Sequence, residues 1–153
     1  MSKISWMLFG ILATLAQPDA KADESPIKQI EPVKLSVVFK GLKNTKGKIL
    51  VWVFNSEKGF PMKAEAAFKT ISVTLEEGVI PRTQILGLPA GTYAVSAVHD
   101  ENDNQKLETN WIGIPREGVA ASRDAKGSMG PPKYRDAVLE ITRDQEIEVT
   151  FEY

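Results

Sequence analysis

Residues 146–153, EIEVTFEY, place Ile147, Val149, Phe151 and Tyr153 on one side of a period of two, and Glu146, Glu148, Thr150 and Glu152 on the other. Successive side chains of a strand point to opposite faces, so this alternation commits the segment to an extended strand with one face on a core. The same signature recurs at Val33, Leu35, Val37 and Phe39, and again at Ile71, Val73 and Leu75. Residues 49–54, ILVWVF, are apolar at every position, which fits a central strand or one covered on both faces, with Trp52 in the core. Further strands are expected at 79–86, where Pro81 marks an edge or a bulge, at 92–99 and at 137–142. One or two helical turns after Pro61, at 63–68, fit between the second and third strands, with Phe60, Met62 and Phe68 over an end of the core. No sustained helical period competes. The pattern predicts an all-β fold, a seven-stranded antiparallel β-sandwich with a long ordered loop after the fifth strand.

Leu88-Pro89-Ala90-Gly91-Thr92-Tyr93 adds a detail. A Tyr just after a Pro/Gly corner can return its hydroxyl to upstream backbone, as in the tyrosine corner of immunoglobulin-like sandwiches. Ahead of the strands, Lys3 and the apolar run 4–15 (ISWMLFGILATL) have the charge and length of a signal peptide, and Ala20-Lys21-Ala22 offers a cleavage site. The run is shorter than the roughly 20 apolar residues a membrane span needs. The domain plan is therefore a signal peptide over 1–22, an extended leader over 23–32 and a single domain over 33–153. Loss of residues 1–22 leaves 131 residues, enough for one core without staples. It leaves a formal charge of −2, without the basic footprint of a nucleic-acid binder or a polybasic membrane signal. No stable membrane insertion is expected after cleavage. The chain has no Cys, which excludes disulfides, zinc-thiolate sites and a Cys nucleophile.

The chemistry-bearing residues concentrate after the fifth strand. Asp100, Asn102 and Asn104 fall at positions 1, 3 and 5 of a D-x-N-x-N spacing, and Glu108 takes position 9. A loop that curls around a hard cation needs oxygen-bearing side chains on alternate residues, and a backbone carbonyl, here that of Lys106, can complete the ring. Two positions depart: Gln105 stands where the sharp turn calls for Gly, and Trp111 where a bidentate Glu is expected. The spacing fits a calcium loop; it also fits an Asx-rich turn whose side chains bond their own backbone. His99 is the only His and lies at the expected strand end, with Asp100 on the opposite face. That arrangement suits a residue holding the loop by hydrogen bonds, and no catalytic constellation forms around it. From 109 to 136 no segment has a clear period, and Trp111, Arg116, Glu117 and Tyr134, with His99, are candidates for a ligand surface.

Residues 88–99, 100–108, 113–118 (GIPREG) and 130–137 (GPPKYRDA) resemble the domain-of-unknown-function family numbered 2141, small exported bacterial proteins, and the resemblance runs from about residue 35 to 153. In that family the acidic loop reads D-E-N-G-N-G-K-L-D, so Asp103, Gln105 and Glu108 replace two glycines and an Asp. The resemblance implies an immunoglobulin- or prealbumin-like sandwich and an extracytoplasmic location, and no reaction. The combined expectation is a periplasmic or secreted binding or accessory module, with calcium as the one cofactor to consider. Its partner would be a small ligand or an envelope protein; the alternatives are an ion-free structural or interaction domain and a hydrolase using Asp100, Glu108 and Glu117. The exported chain is expected to begin at Asp23. N-terminal sequencing of protein recovered outside the cytoplasm checks this, and retention of residues 1–22 would contradict it.

Overall fold

The structure, a computed structural model, describes residues 31–153. The expected signal peptide, and all of the leader but its last two residues, lie outside the described residues. Eight strands form: β1 (Val33–Lys40), β2 (Lys48–Phe54), β3 (Lys69–Thr74), β4 (Arg82–Leu88), β5 (Gly91–Asp100), β6 (Gly118–Ala121), β7 (Leu139–Ile141) and β8 (Gln145–Thr150). They make a three-stranded sheet ordered β4-β1-β8 and a five-stranded sheet ordered β3-β2-β5-β6, in which β7 also pairs with β5. One buried cluster draws Leu35, Val37, Phe39, Ile85 and Val149 from the first sheet and Ile49, Val51, Val53, Val95 and Ile141 from the second. The alternation in β1 and β8 selects these core positions.

Strands β2 and β5 are buried on both faces. The outer side of β2 carries Leu50, Trp52 and Phe54, which form a second cluster with Val98. Trp52 is therefore buried in the outer cluster, away from the space between the sheets. Phe60, from the segment after β2, covers this face, with its ring 5.4 Å from Phe54 and edge-on to it. The helical turn of that segment is a 3-10 turn over Ala64–Ala66. β4 is an edge strand as Pro81 suggested, displaced to Arg82–Leu88, and the Pro81 carbonyl accepts the Phe39 N–H at 3.0 Å.

Three expectations are corrected. The strand count is eight, because Gly118–Ala121 pairs with β5 from Ser96↔Ala121 to His99↔Gly118. Four small residues have no period of their own, so only the ladder offered by β5 makes them a strand. The long loop after the fifth strand is thus divided by β6 and by a helical turn, α1 (Tyr134–Ala137). The pairing is not antiparallel throughout: β1 and β8 run parallel from Leu35↔Gln145 to Lys40↔Thr150. No hairpin joins these two strands, and a parallel pair needs only a long crossover, here most of the domain.

The corner before β5 closes as its sequence implied. Tyr93 Oη donates to the Pro89 carbonyl at 2.8 Å, four residues upstream, and the ring lies in the main core. The bond is part-buried and Pro89 is exposed, so losing the hydroxyl costs the net worth of one hydrogen bond, about 0.5–1.5 kcal/mol. Tyr93→Phe is expected to lower the unfolding free energy by that amount, read as a lower urea midpoint at an unchanged slope, and an unchanged midpoint would mean the corner adds nothing.

Candidate functional site

The carboxyl end of β5 is where separate parts of the chain converge. His99 pairs with Ile49 on one side and Gly118 on the other, and its ring is fully buried. Nε2 lies 2.8 Å from the Lys46 carbonyl and Nδ1 lies 2.7 Å from Tyr153 Oη. A carbonyl only accepts, so Nε2 carries the hydrogen, and in a neutral ring Nδ1 then accepts from the Tyr153 hydroxyl. Burial pushes the Tyr153 phenol above its ordinary range, opposed by the Lys43 backbone N–H that donates to it at 3.2 Å. A Cβ on Gly118 would come within 2.5 Å of the Tyr153 ring, so only glycine lets the terminal residue lie there. Both ring nitrogens of His99 are engaged, one to the Lys46 carbonyl and one to the Tyr153 hydroxyl.

The next residues fold back on Asp100. This side chain is fully buried; Oδ1 accepts the Asn104 N–H at 3.0 Å and Oδ2 accepts the Gln105 N–H at 2.7 Å. Asn102 Oδ1 accepts the same Asn104 N–H at 3.1 Å, and Asn104 Oδ1 accepts the Lys106 N–H at 2.9 Å. Asp103 and Gln105 both have positive φ, 61° and 63°. These are the positions at which the family pattern has glycine, and the loop adopts the glycine conformation without it. Asp103 is held by an ion pair with Lys48. Glu101 is anchored to the 41–47 segment by Lys43 at 2.7 Å and the Asn44 amide at 2.9 Å. The Lys43 hydrogen bond, then that of Asn44, holds the Glu101 carboxyl below its usual range.

Glu117 is buried beside this loop, just before β6. Its Oε2 accepts the Glu108 N–H at 3.1 Å, and its Oε1 is shielded with no hydrogen-bond partner. Burial pushes its pKa up; the Glu108 N–H opposes this, and the charges of Asp100 and Glu108 add to the rise. Asn104 Nδ2 donates to Glu108 Oε1 at 3.0 Å. The structure therefore gathers Asp100, Asn102, Asn104, Glu108 and Glu117, with the backbone of Lys106, into one region.

The remaining candidates do not join it as one surface. Trp111 is 93% exposed on the 109–115 loop, and Arg116 is exposed nearby. Tyr134 is half-buried in the outer cluster, edge-on to Phe60 at 5.8 Å. Sequence reasoning missed a groove of about 740 Å³ on the outer side of the larger sheet. Ser96, Val98, Val119 and Ala121 of β5 and β6 line it together with Met62, Leu107, Ile112, Ile114, Met129 and Pro131. Ile112, Ile114 and Met129 were visible only as apolar residues in an aperiodic stretch; nothing in their spacing shows that they share a concavity.

A family model described as an uncharacterized protein conserved in bacteria (DUF2141) matches residues 37–150. No curated protein and no solved structure matches the chain.

The raised Glu117 pKa has a definite sign in stability. The folded form holds the proton more tightly than the unfolded chain, so stability falls as pH rises from the ordinary glutamate range to the folded pKa. Glu117→Gln, which never ionises, is expected to melt above the parent at pH 7 in metal-free buffer. The difference should close as pH falls towards 4, about where an unfolded glutamate takes its proton; thermal melts across that range check it.

Proposed function

The chain belongs to the DUF2141 family, and from that premise we propose that it is an exported binding module built on an immunoglobulin- or prealbumin-like sandwich, taking a small, largely apolar ligand in the groove on its larger sheet. The groove is the observation that carries this reading. Its volume of about 740 Å³ lies within the range of sites for small molecules, and apolar side chains dominate its lining. The 109–115 wall is built in advance. Asn110 Oδ1 accepts the N–H groups of Ile112 at 3.0 Å and Ile114 at 2.9 Å, and Thr109 bridges to Pro115. A wall held by its own backbone loses little freedom when a ligand arrives.

The charged leader, the apolar run 4–15 and the small residues at 20–22 support export. The shared core of the two sheets and the Tyr93 corner support the sandwich class. A second reading, docking of an envelope protein, is favoured by Trp111 and Met129, which are 93% and 101% exposed.

Ile112 and Ile114 are 55% and 53% exposed, so both accept substitution without loss of core. Titration of the native protein with an anilinonaphthalene sulfonate dye is expected to show one saturable site. Ile112→Asp combined with Ile114→Asp should weaken that site at least ~10-fold, since covering the exposed half of each isoleucine contributes about 0.7–1.5 kcal/mol, with circular dichroism unchanged. Absence of saturable binding, or equal binding by the double variant, would refute the groove as the ligand site and leave the protein-partner reading.

A further inference from the structure

Asp100 and Glu117 are two buried carboxylates bonded to the backbone of the same loop, Asp100 to the N–H groups of Asn104 and Gln105 and Glu117 to that of Glu108. Asp100 has a backbone N–H on each oxygen, whereas on Glu117 the Glu108 N–H bonds Oε2, the Glu101 N–H makes a weaker approach, and Oε1 has no hydrogen-bond partner. A buried ionised oxygen without a donor or counter-ion is costly, and such groups are ordinarily protonated, paired or bound to a metal. The sequence around Asp100 points to the third resolution. The chain curls back so that positions 5 and 6 of the loop donate to the carboxylate at position 1, and Gln105 at position 6 has the positive φ for which a calcium loop uses glycine. What the loop lacks is the distal acid. Its own position 12 is Trp111, almost fully exposed.

We propose that Glu117 is that acid: it and Asp100 are the two carboxylates of a calcium site completed by the side-chain oxygens of Asn102 and Asn104, the Lys106 carbonyl and water. The bond from the Glu108 N–H to Glu117 Oε2 fixes the carboxylate against the far end of the loop and leaves Oε1 available. The donor set is all oxygen, the chemistry of a hard cation, and the supply of protein ligands favours calcium over magnesium, which keeps its water. Among the described residues no three His, Cys, Asp or Glu side chains form a metal-holding group. Two carboxylates with neutral oxygens carry little charge, which places the affinity in the 10⁻⁴–10⁻³ M range of extracellular calcium modules. The site does not depend on the groove or on its ligand.

The test is calorimetric titration of the purified protein, freed of metal with EDTA, with calcium chloride to 10 mM, alongside melting temperatures in calcium and in chelator. One saturable site with Kd of about 0.1–1 mM and a higher melting temperature in calcium are expected. Glu117→Gln should weaken binding at least ~10-fold, and Asn102→Asp, which adds a charged ligand, should tighten it several-fold. The absence of heat and of any melting shift at 10 mM calcium would overturn the proposal, as would a Glu117→Gln variant that binds like the parent. Equal binding of magnesium overturns the choice of calcium. Asn102→Asp is an independent check: unchanged affinity in that variant removes the loop from the site. Dye binding in the groove is measured separately, so either reading can fail alone.

Discussion

The imidazole of His99 joins pieces of chain that no turn connects. Through its backbone it is a rung between β2 and β6, through Nε2 it holds the segment leading into β2, and through Nδ1 it holds the terminal tyrosine. Phe151 and Tyr153 stand edge-on to the ring, each at 6.1 Å, and the ring itself is fully buried. The neighbouring bridge between Val119 and Glu152 ties the end of the chain, which leaves the smaller sheet, to β6 of the larger one. The loop after β5 starts from this fixed point. Asp100 therefore enters the loop with a settled direction, and the backbone N–H groups of Asn104 and Gln105 can close on it.

Burial on both faces of β2 and β5 has a second consequence. A sheet with two apolar faces needs a cover on the side away from the main core, and here that cover is assembled from the segment after β2, from Leu107 and from Tyr134. The cover is incomplete over Val98 and Val119, and the groove is the gap. Its walls are loops organised by local side-chain to backbone bonds, those of Asn110 above all. The Asp100–Glu108 loop and the groove are thus two outcomes of one arrangement: a strand enclosed from Tyr93 to Asp100 releases the chain at its end into loops that return over its outer face.

Much of this was legible. The alternations of β1, β3 and β8 required only the geometry of a strand, and the apolar run of β2 announced its double burial. The hydroxyl of Tyr93 could be assigned because its acceptor lies four residues away. The D-x-N-x-N spacing marked the loop for the same reason: its bonds are local. β6 was not legible, because Gly118–Ala121 carries no pattern and is a strand only by virtue of its neighbour. The parallel pairing of β1 with β8 was equally hidden, since alternation fixes which face is buried and says nothing about direction.

Sequence alone determined the class of fold, the strands with a period, the corner at Tyr93 and the place where oxygen-bearing side chains gather, because each follows from contacts within a few residues. Tertiary structure decided the roles. It placed Tyr153 on His99, 54 residues away, and enclosed Glu117 with one oxygen unpartnered. The physical reason is the same in both cases: burial is set by what packs around a residue, and for His99 and Glu117 that packing comes from other segments of the chain.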